Sequence, residues 1–262
     1  YRPFDERAIF FHSSLVWGCS WPTHRHMVNI DGNLSLLATR LTKDKWDVMV
    51  SRQVSSHKAL SAYDTNSIFP LFLAGEDVGS LFDVYEGLEV NLSQGFQEAL
   101  ATRIGIEGQL LGDPSSELSP EDVFHYIYAI FQSPSYRSRY HDFLTQDFPR
   151  IPLPRNRGVF QSLAALGNEI VSLHLFESPE LNQTTTTLVG SGDFLVEKVS
   201  YDKSTVWLDT GRTRGFSGVP KEIWDYRIGG YQVCEKWLKD KQAKGGKNPR
   251  PGRVLSSQEI EH

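Results

Sequence analysis

The chain has 262 residues, 39% of them hydrophobic and 23% charged, with a formal net charge of −5. That length allows one large domain or two small ones around a substantial core; no apolar run is long enough to span a membrane, and no secretory signal pattern is present. The acidic balance argues against a protein that coats nucleic acid nonspecifically, though it leaves room for a module whose basic groups lie on one face.

Tyr1 stands where a methionine would open a complete protein, and the sequence stops after Glu259-Ile260-Glu261-His262, so both ends are expected to be cuts in a longer polypeptide. Residues 1 to about 75 read as strands and turns. Ala8 to Phe11 is a short apolar run, Trp46 to Val50 alternates as a half-buried strand should, and Ser67 to Leu73 is a third strand in which Pro70 marks an edge or a bulge. Leu92 to Thr102 predicts a short helix with Ser93 as cap and Phe96 and Leu100 on one face, and Gly105 to Pro114 predicts a loop. Ser119-Pro120-Glu121-Asp122 has the spacing of a capping box with proline in the first helical position, and Val123, Ile127, Ile130 and Phe131 recur at helical spacing. Pro134 opens a second helix carrying Arg137 and Arg139, and the helical middle runs to about Thr145. Pro149, Pro152 and Pro154 force an extended connector, after which Phe160, Leu163, Ile170 and Leu173 form the inner face of a helix that ends before Pro179. The tract Thr184 to Thr187 predicts an exposed loop or strand edge. A hairpin follows, from Phe194 to Tyr201, through a turn at Asp202-Lys203, to Ser204–Leu208. A last helix from about Gln232 to Asp240 leads into a Gly/Pro/Lys stretch ending at Arg253.

No complete enzyme site is legible. A P-loop, a G-x-S-x-G elbow and an H-E-x-x-H helix are missing from the sequence. So are the Asn/Asp-Pro-Pro-aromatic loop and the glycine-rich donor turn of an amino-methyltransferase; Gly190-Ser191-Gly192 is the nearest glycine turn, and it leads to Phe194 without a helix. His24 and His26 could face one side of an extended segment, but two imidazoles do not complete a zinc set; Asp44, Asp47, Glu76 and Asp77 are the acids a nuclease centre would draw on. Cys19 and Cys234 are too few for a disulfide framework and read as reduced thiols in a cytoplasmic setting.

The arginines are more informative. Arg137 and Arg139 are two apart on a helix and point to different faces, so one could meet a phosphate while the other braces the fold. Arg155 and Arg157 flank Asn156 just before a helix, where an anion fits. Arg212 and Arg214 sit in Thr210-Gly211-Arg212-Thr213-Arg214-Gly215, expected to be a flexible loop after the hairpin, with Lys203 in the hairpin turn. Arginine can make a bidentate contact with guanine O6 and N7. Lys236, Lys239, Lys241, Lys244, Lys247, Arg250 and Arg253 form a cationic run suited to a phosphate clamp or to a solvated helix end. The aromatic runs at Tyr126-Tyr128 and Trp224-Tyr226 could stack on bases, but their spacing favours core packing.

The wording of several blocks carries more. Tyr1-Arg2-Pro3-Phe4-Asp5-x-Arg7, Asn33-Leu34 with Arg40, Ile68 to Leu73, the whole of Ser119 to Phe131, Pro134 to Tyr140 and Asp147 to Pro152 are one set. Leu166-Gly167-x-Glu169, Leu173-His174-Leu175-x-Glu177-Ser178, Gly218-Val219-Pro220, Trp224-x-Tyr226, Ile228 to Tyr231 and Lys236 to Lys239 continue it. In this order the blocks resemble the C-terminal specificity region of type ISP restriction-modification enzymes and their adenine-methyltransferase relatives. The resemblance implies an α+β fold with a β-rich recognition core and an attached helical part, similar to the recognition domains of type I specificity subunits. It implies one specificity domain in three segments: β-rich 1–75 following a methyltransferase domain, mainly helical 76–178, and 179–262 with the hairpin, last helix and basic tail. The expected function is sequence-specific recognition of double-stranded DNA. This piece would be no enzyme by itself and hold no cofactor, while its cytoplasmic parent would methylate adenine at N6 with S-adenosylmethionine and carry the methyltransferase domain in the same polypeptide, with no membrane partner. The expected DNA-binding residues are Arg212, Arg214, Lys203, Arg155, Arg157, Arg137, Arg139, Lys239 and Lys241, with Arg212, Arg214 and Lys203 sharing a groove with Arg155 or Arg157. Two other classes remain open, a subunit-docking module without DNA contact and a fragment with its own nuclease or transferase site.

Overall fold

The computed structural model describes residues 4, 9–12, 14, 15, 20–75, 88–106, 118–183 and 185–261. The chain divides into two compact units, the first ending at Ser178 and the second running on from Pro179. Helices and antiparallel sheets are mixed, an α+β fold.

In the first unit the elements run α1 (Trp21–Val28), β1 (Ser35–Thr39), β2 (Val48–Ser51), β3 (Asn66–Pro70), β4 (Phe72–Leu73), β5 (Glu89–Val90), α2 (Gln94–Ile104), α3 (Pro120–Gln132), α4 (Pro134–Arg139), α5 (His141–Leu144) and α6 (Arg157–His174). β1 is the central strand of a three-stranded antiparallel sheet in the order β2-β1-β3, so Pro70 lies on an edge strand, where a missing N–H costs no ladder bond. β4 and β5 form a separate two-stranded ribbon. The predicted capping box at α3 forms: the Ser119 hydroxyl accepts from the Asp122 N–H at 3.0 Å, and the Asp122 carboxylate accepts from the Ser119 N–H at 3.4 Å. Beyond it α3 is buried almost all round, with Val123, Tyr126, Tyr128 and Phe131 each no more than 1% exposed. Burying a large apolar side chain contributes about 1.5–3 kcal/mol, so this helix anchors the unit. It crosses α6 closely at Gly167, where an added Cβ would stand 1.9 Å from the His125 carbonyl oxygen. Ala38, Val48 and Val50 of the sheet, with Leu34 just before β1, share one core with α3 and α6.

The second unit contains β6 (Thr187–Val189), β7 (Ser200–Asp202), β8 (Thr205–Trp207), β9 (Gly215–Ser217), α7 (Lys221–Trp224), β10 (Arg227–Ile228), β11 (Tyr231–Gln232), α8 (Val233–Lys239) and α9 (Ser257–Glu261). Its sheet is antiparallel in the order β6-β9-β8-β7 over a core of Phe194, Val196, Leu208, Trp224 and Leu238. The expected hairpin is present but shorter: its ladder covers Ser200 to Asp202 and Thr205 to Trp207, while Phe194 to Val196 instead bonds the basic tail through Val196 with Arg253, Ala243 with Val196, and Leu255 with Phe194. The β structure is therefore divided, the N-terminal strands packing with the middle helices and the hairpin belonging to the second unit.

Three further expectations are corrected. His24 and His26 lie on α1 rather than on an extended segment, so a spacing of two turns them apart; the buried His26 Nδ1 accepts from the Ala74 N–H, and His24 bonds the Ser20 and Ser55 carbonyls. Ile9 to Phe11 pairs in no sheet among the described residues. The Gly/Pro/Lys stretch after α8 is anchored by backbone bonds to the Phe194–Val196 segment rather than being a solvated helix end. The loop expected at Gly105 to Pro114 lies largely outside the described residues, as do Ala8, Cys19, Glu76, Asp77 and Thr184.

Candidate nucleic-acid interface

Charge is unevenly shared along the chain. Residues 179–262 hold 13 lysines and arginines against 11 aspartates and glutamates, whereas residues 1–178 hold 14 against 21. The acidic total thus conceals a basic second unit, and the question becomes which of its cations are exposed and which are bound within the fold.

The connection between β8 and β9 answers much of it. Asp209 is 4% exposed, and its carboxylate accepts from the Thr213 N–H at 3.0 Å, the Thr213 hydroxyl at 3.0 Å, the Arg214 N–H at 2.8 Å and Arg214 Nε at 3.4 Å. Burial alone would raise this carboxyl's pKa, but the hydrogen bonds from Thr213 and Arg214 outweigh it and hold the group below its ordinary value. The loop expected to be flexible is thus tied down by a buried anion. Arg214 closes it, its guanidinium also reaching the Asp193 carbonyl at 2.6 Å and Glu197 at 3.3 Å, with the side chain 21% exposed. Gly190 packs against the same loop, for a Cβ there would meet the Thr213 carbonyl at 2.3 Å. That contact gives Gly190 a packing role, and the chain runs on from Gly192 to the buried Phe194 without a helix.

Arg212 is different. It stands in the left-handed region at φ 55°, which costs a residue with a side chain about 1–2 kcal/mol. Its side chain is 53% exposed and donates through Nη1 to Asp202 Oδ2 at 2.8 Å. An exposed pair of this kind contributes only about 0.2–1 kcal/mol, so the strain is carried by the Asp209 bonds rather than by the pair. Lys203 and Ser204, at φ 48° and 59°, form the primed two-residue turn that a tight hairpin requires. The turn and the Arg212 loop leave opposite ends of β8, and the Arg212–Asp202 pair brings the arginine to the residue next to Lys203. Lys203 is exposed.

The basic tail also separates into two groups. Lys236 pairs with Asp240, and Lys239 with Glu235 at 2.8 Å. Lys241 is 11% exposed, lies over the Trp237 ring at 3.1 Å from its centroid and pairs with Glu259, which also holds Arg253. Lys244 and Arg250 are joined by two reciprocal backbone bonds of 2.8 Å, closing a turn that holds Lys247; all three side chains are exposed, and no carboxylate pairs with them among the described residues. Sequence reasoning counted these three in the cationic run without singling them out. The pairs of Gly245-Gly246 and Asn248-Pro249, turn formers between two cations, were the available signal.

In the first unit, Arg137 is a brace. It donates to Asp47 at 2.5 Å, to the Gln132 side chain at 2.6 Å and to the Phe131 carbonyl at 2.6 Å, and lies over the Trp46 ring. Arg139 is exposed and stacks on Tyr140. Arg155 and Arg157, both exposed, flank Asn156, whose side chain caps α6 by accepting from the Val159 N–H at 2.9 Å; Arg157 also borders a cavity of about 380 Å³ with Asp122, His125 and Asn168. Tyr126 and Tyr128 are core residues: the Tyr126 hydroxyl donates to the Pro152 carbonyl, burial pushing its pKa up to about 12, and the Tyr128 hydroxyl lies 2.6 Å from His174 Nδ1. Trp224 stacks on Tyr201 inside the second unit, whereas Tyr226 is 46% exposed. Asp44 accepts from the Ser61 hydroxyl, and no cluster of metal-ligating side chains occurs among the described residues. No helix among them is long and apolar enough to cross a membrane.

No curated protein matches the sequence. Solved structures do. A nuclease-deletion mutant of the Type ISP restriction-modification enzyme LlaGI in complex with a DNA substrate mimic matches at 20% identity and TM-score 0.56, over 82% of this chain and 14% of that one. The DrdV–DNA complex matches at 22% and 0.73, over 94% of this chain and 24% of that one. The ATP-dependent Type ISP enzyme LlaBIII bound to DNA matches at 19% and 0.61, over 82% and 13%. The chain therefore spans a quarter or less of each of these proteins, and the likenesses establish its fold. The model of one protein family, the Type ISP C-terminal specificity domain, matches residues 1–251, and the chain belongs to that family.

Proposed function

We propose that this chain reads a double-stranded DNA sequence for a restriction-modification adenine-N6 methyltransferase of which it is the specificity domain. The observation that carries the reading is the set of exposed cations held on ordered backbone in the second unit: Lys203 in a tight turn, Arg212 in the Asp209-pinned loop, and Lys244, Lys247 and Arg250 around a closed turn. Base readout needs side chains that project from rigid supports, and phosphate contact needs cations that have not already spent their charge on a neighbour. Membership of a specificity-domain family and a fold shared with proteins solved on DNA support it.

In this reading Arg212 contacts bases, while Lys203, Lys244, Lys247 and Arg250 contact phosphates. Arg137, Arg214 and Lys241 shape the supports from within, and Lys239 contributes little beyond its helix pair. The methyl transfer, its S-adenosylmethionine and the flipping of the adenine belong to the methyltransferase domain of the parent. Fluorescence anisotropy of the chain on a random-sequence duplex at rising salt tests the phosphate part. Affinity should fall linearly on a log–log plot, and alanine at Lys244, Lys247 and Arg250 together should reduce the slope by about 2–3. A slope unchanged by the triple substitution would remove that turn from the interface.

A further inference from the structure

We infer that Asp202 is a positioning residue for base readout, holding the Arg212 guanidinium ready to fork onto a guanine. The inference rests on the DNA-recognition reading above and adds to it one named determinant. Arg212 Nη1 donates to Asp202 Oδ2 at 2.8 Å, and both side chains remain about half exposed, at 53% and 43%. A guanidinium has five N–H donors in a rigid plane, so one bond to a carboxylate leaves others free to meet two acceptors side by side, as O6 and N7 of guanine present them. Arginine otherwise surrenders much rotamer freedom on binding; a partner that fixes the plane beforehand removes part of that loss.

The backbone points the same way. Both ends of the pair stand on ordered backbone: Arg212 is held left-handed by the buried Asp209, and Asp202 closes the primed turn through its pairing with Thr205. Asp202 also carries a cost for any protein meant only to hold phosphates, because it sets a negative charge beside Lys203 and Arg212, the two cations next to the turn. An acid placed there weakens binding to every sequence, and its presence is accounted for if it sharpens the response to one.

The test is selection of the 262-residue chain on a randomised duplex library, with sequencing of the bound fraction and anisotropy on the enriched duplex and on its scramble. Wild type should enrich a motif containing a guanine whose preference disappears in Arg212→Ala, with affinity for the enriched duplex falling roughly 5- to 150-fold. Asp202→Asn should weaken the preference at that same position by about 3- to 10-fold, in the range expected for coupled neighbours, while affinity for the scramble holds or rises. Asp202→Asn with the preference intact and all duplexes bound equally or more tightly would overturn the inference, leaving Asp202 as a repulsive charge only. Arg212→Lys approaches the arrangement from the other side, keeping a cation for Asp202 but offering no fork. It should lose the guanine preference with its salt slope retained, and a retained preference would also overturn the inference. A wild-type chain that binds no duplex would instead refute the DNA reading itself.

Discussion

Replacing Arg137 with alanine should destabilise the first unit without altering how the protein meets DNA. Asp47 is 4% exposed and Arg137 19%, and the pair is joined at 2.5 Å, so removing the arginine leaves a buried carboxylate short of its cation and deprives Gln132 and the Phe131 carbonyl of a donor. Breaking a fully buried pair from one side costs about 3–5 kcal/mol; the partial exposure of Arg137 lowers this to about 2–4 kcal/mol. In a unit of this size each kcal/mol moves the midpoint by about 2–4 °C, so thermal unfolding followed by circular dichroism should shift down by about 5–15 °C. Arg139→Ala, two residues away and exposed, should move the midpoint by about 1 °C or less, yet flatten the salt dependence of DNA binding by about one. In the double variant Asp47→Ala/Arg137→Ala the loss should be clearly smaller than the sum of the singles, since both ends of the pair are then gone. An Arg137→Ala midpoint within 2 °C of wild type would refute the assignment of this arginine as a brace.

Gly167→Ala should cost more than about 2 kcal/mol in chemical denaturation, because its Cβ would stand 1.9 Å from the His125 carbonyl at the α3–α6 crossing. Gly158→Ala, with nothing nearer than 3.5 Å in the same helix, should be neutral or stabilise by up to about 1 kcal/mol. Asp209 titrates below its ordinary 3.8 in the folded chain, so the unfolded state takes up its proton first: the stabilisation is complete above that pH and declines as pH falls through the folded value, and Asp209→Asn should show a shallower acid-side loss of stability. Burial holds the His174 pKa below its ordinary 6.5, so the unfolded chain takes up its proton first as pH falls; stability should therefore decline from pH 7 to pH 5, less steeply in His174→Gln, as read from denaturant midpoints.

The elements most legible in the sequence were those whose signals are local. Ser119, Pro120 and Asp122 dictate the start of α3 within four residues, and Asn156 does the same for α6. β1 was less visible because a central strand is covered on both faces: Leu37, Ala38 and Thr39 are all buried, so the alternation that reveals a half-exposed strand is missing. α1 carries Trp21-Pro22-Thr23-His24-Arg25-His26, with little apolar period to announce a helix. The division of labour among the arginines was beyond sequence reasoning for a simple reason. Arg137 finds Asp47 across 90 residues, and Arg214 finds Asp193 across 21, so their partners are set by the fold. Asp209, by contrast, anchors Thr213 and Arg214 four and five positions on; an acid preceding Thr-Gly-Arg-Thr-Arg was a local sign that the loop would be ordered.

The most direct test of the central claim is the enriched motif itself. Selection of the chain against randomised duplexes, followed by competition between the winning sequence and its scramble at about 0.15 M salt, should give one motif bound at least about tenfold more tightly than the scramble, with the excess lost in Arg212→Ala. Duplex binding that enriches no sequence, or no duplex binding at all, would contradict a role in target recognition.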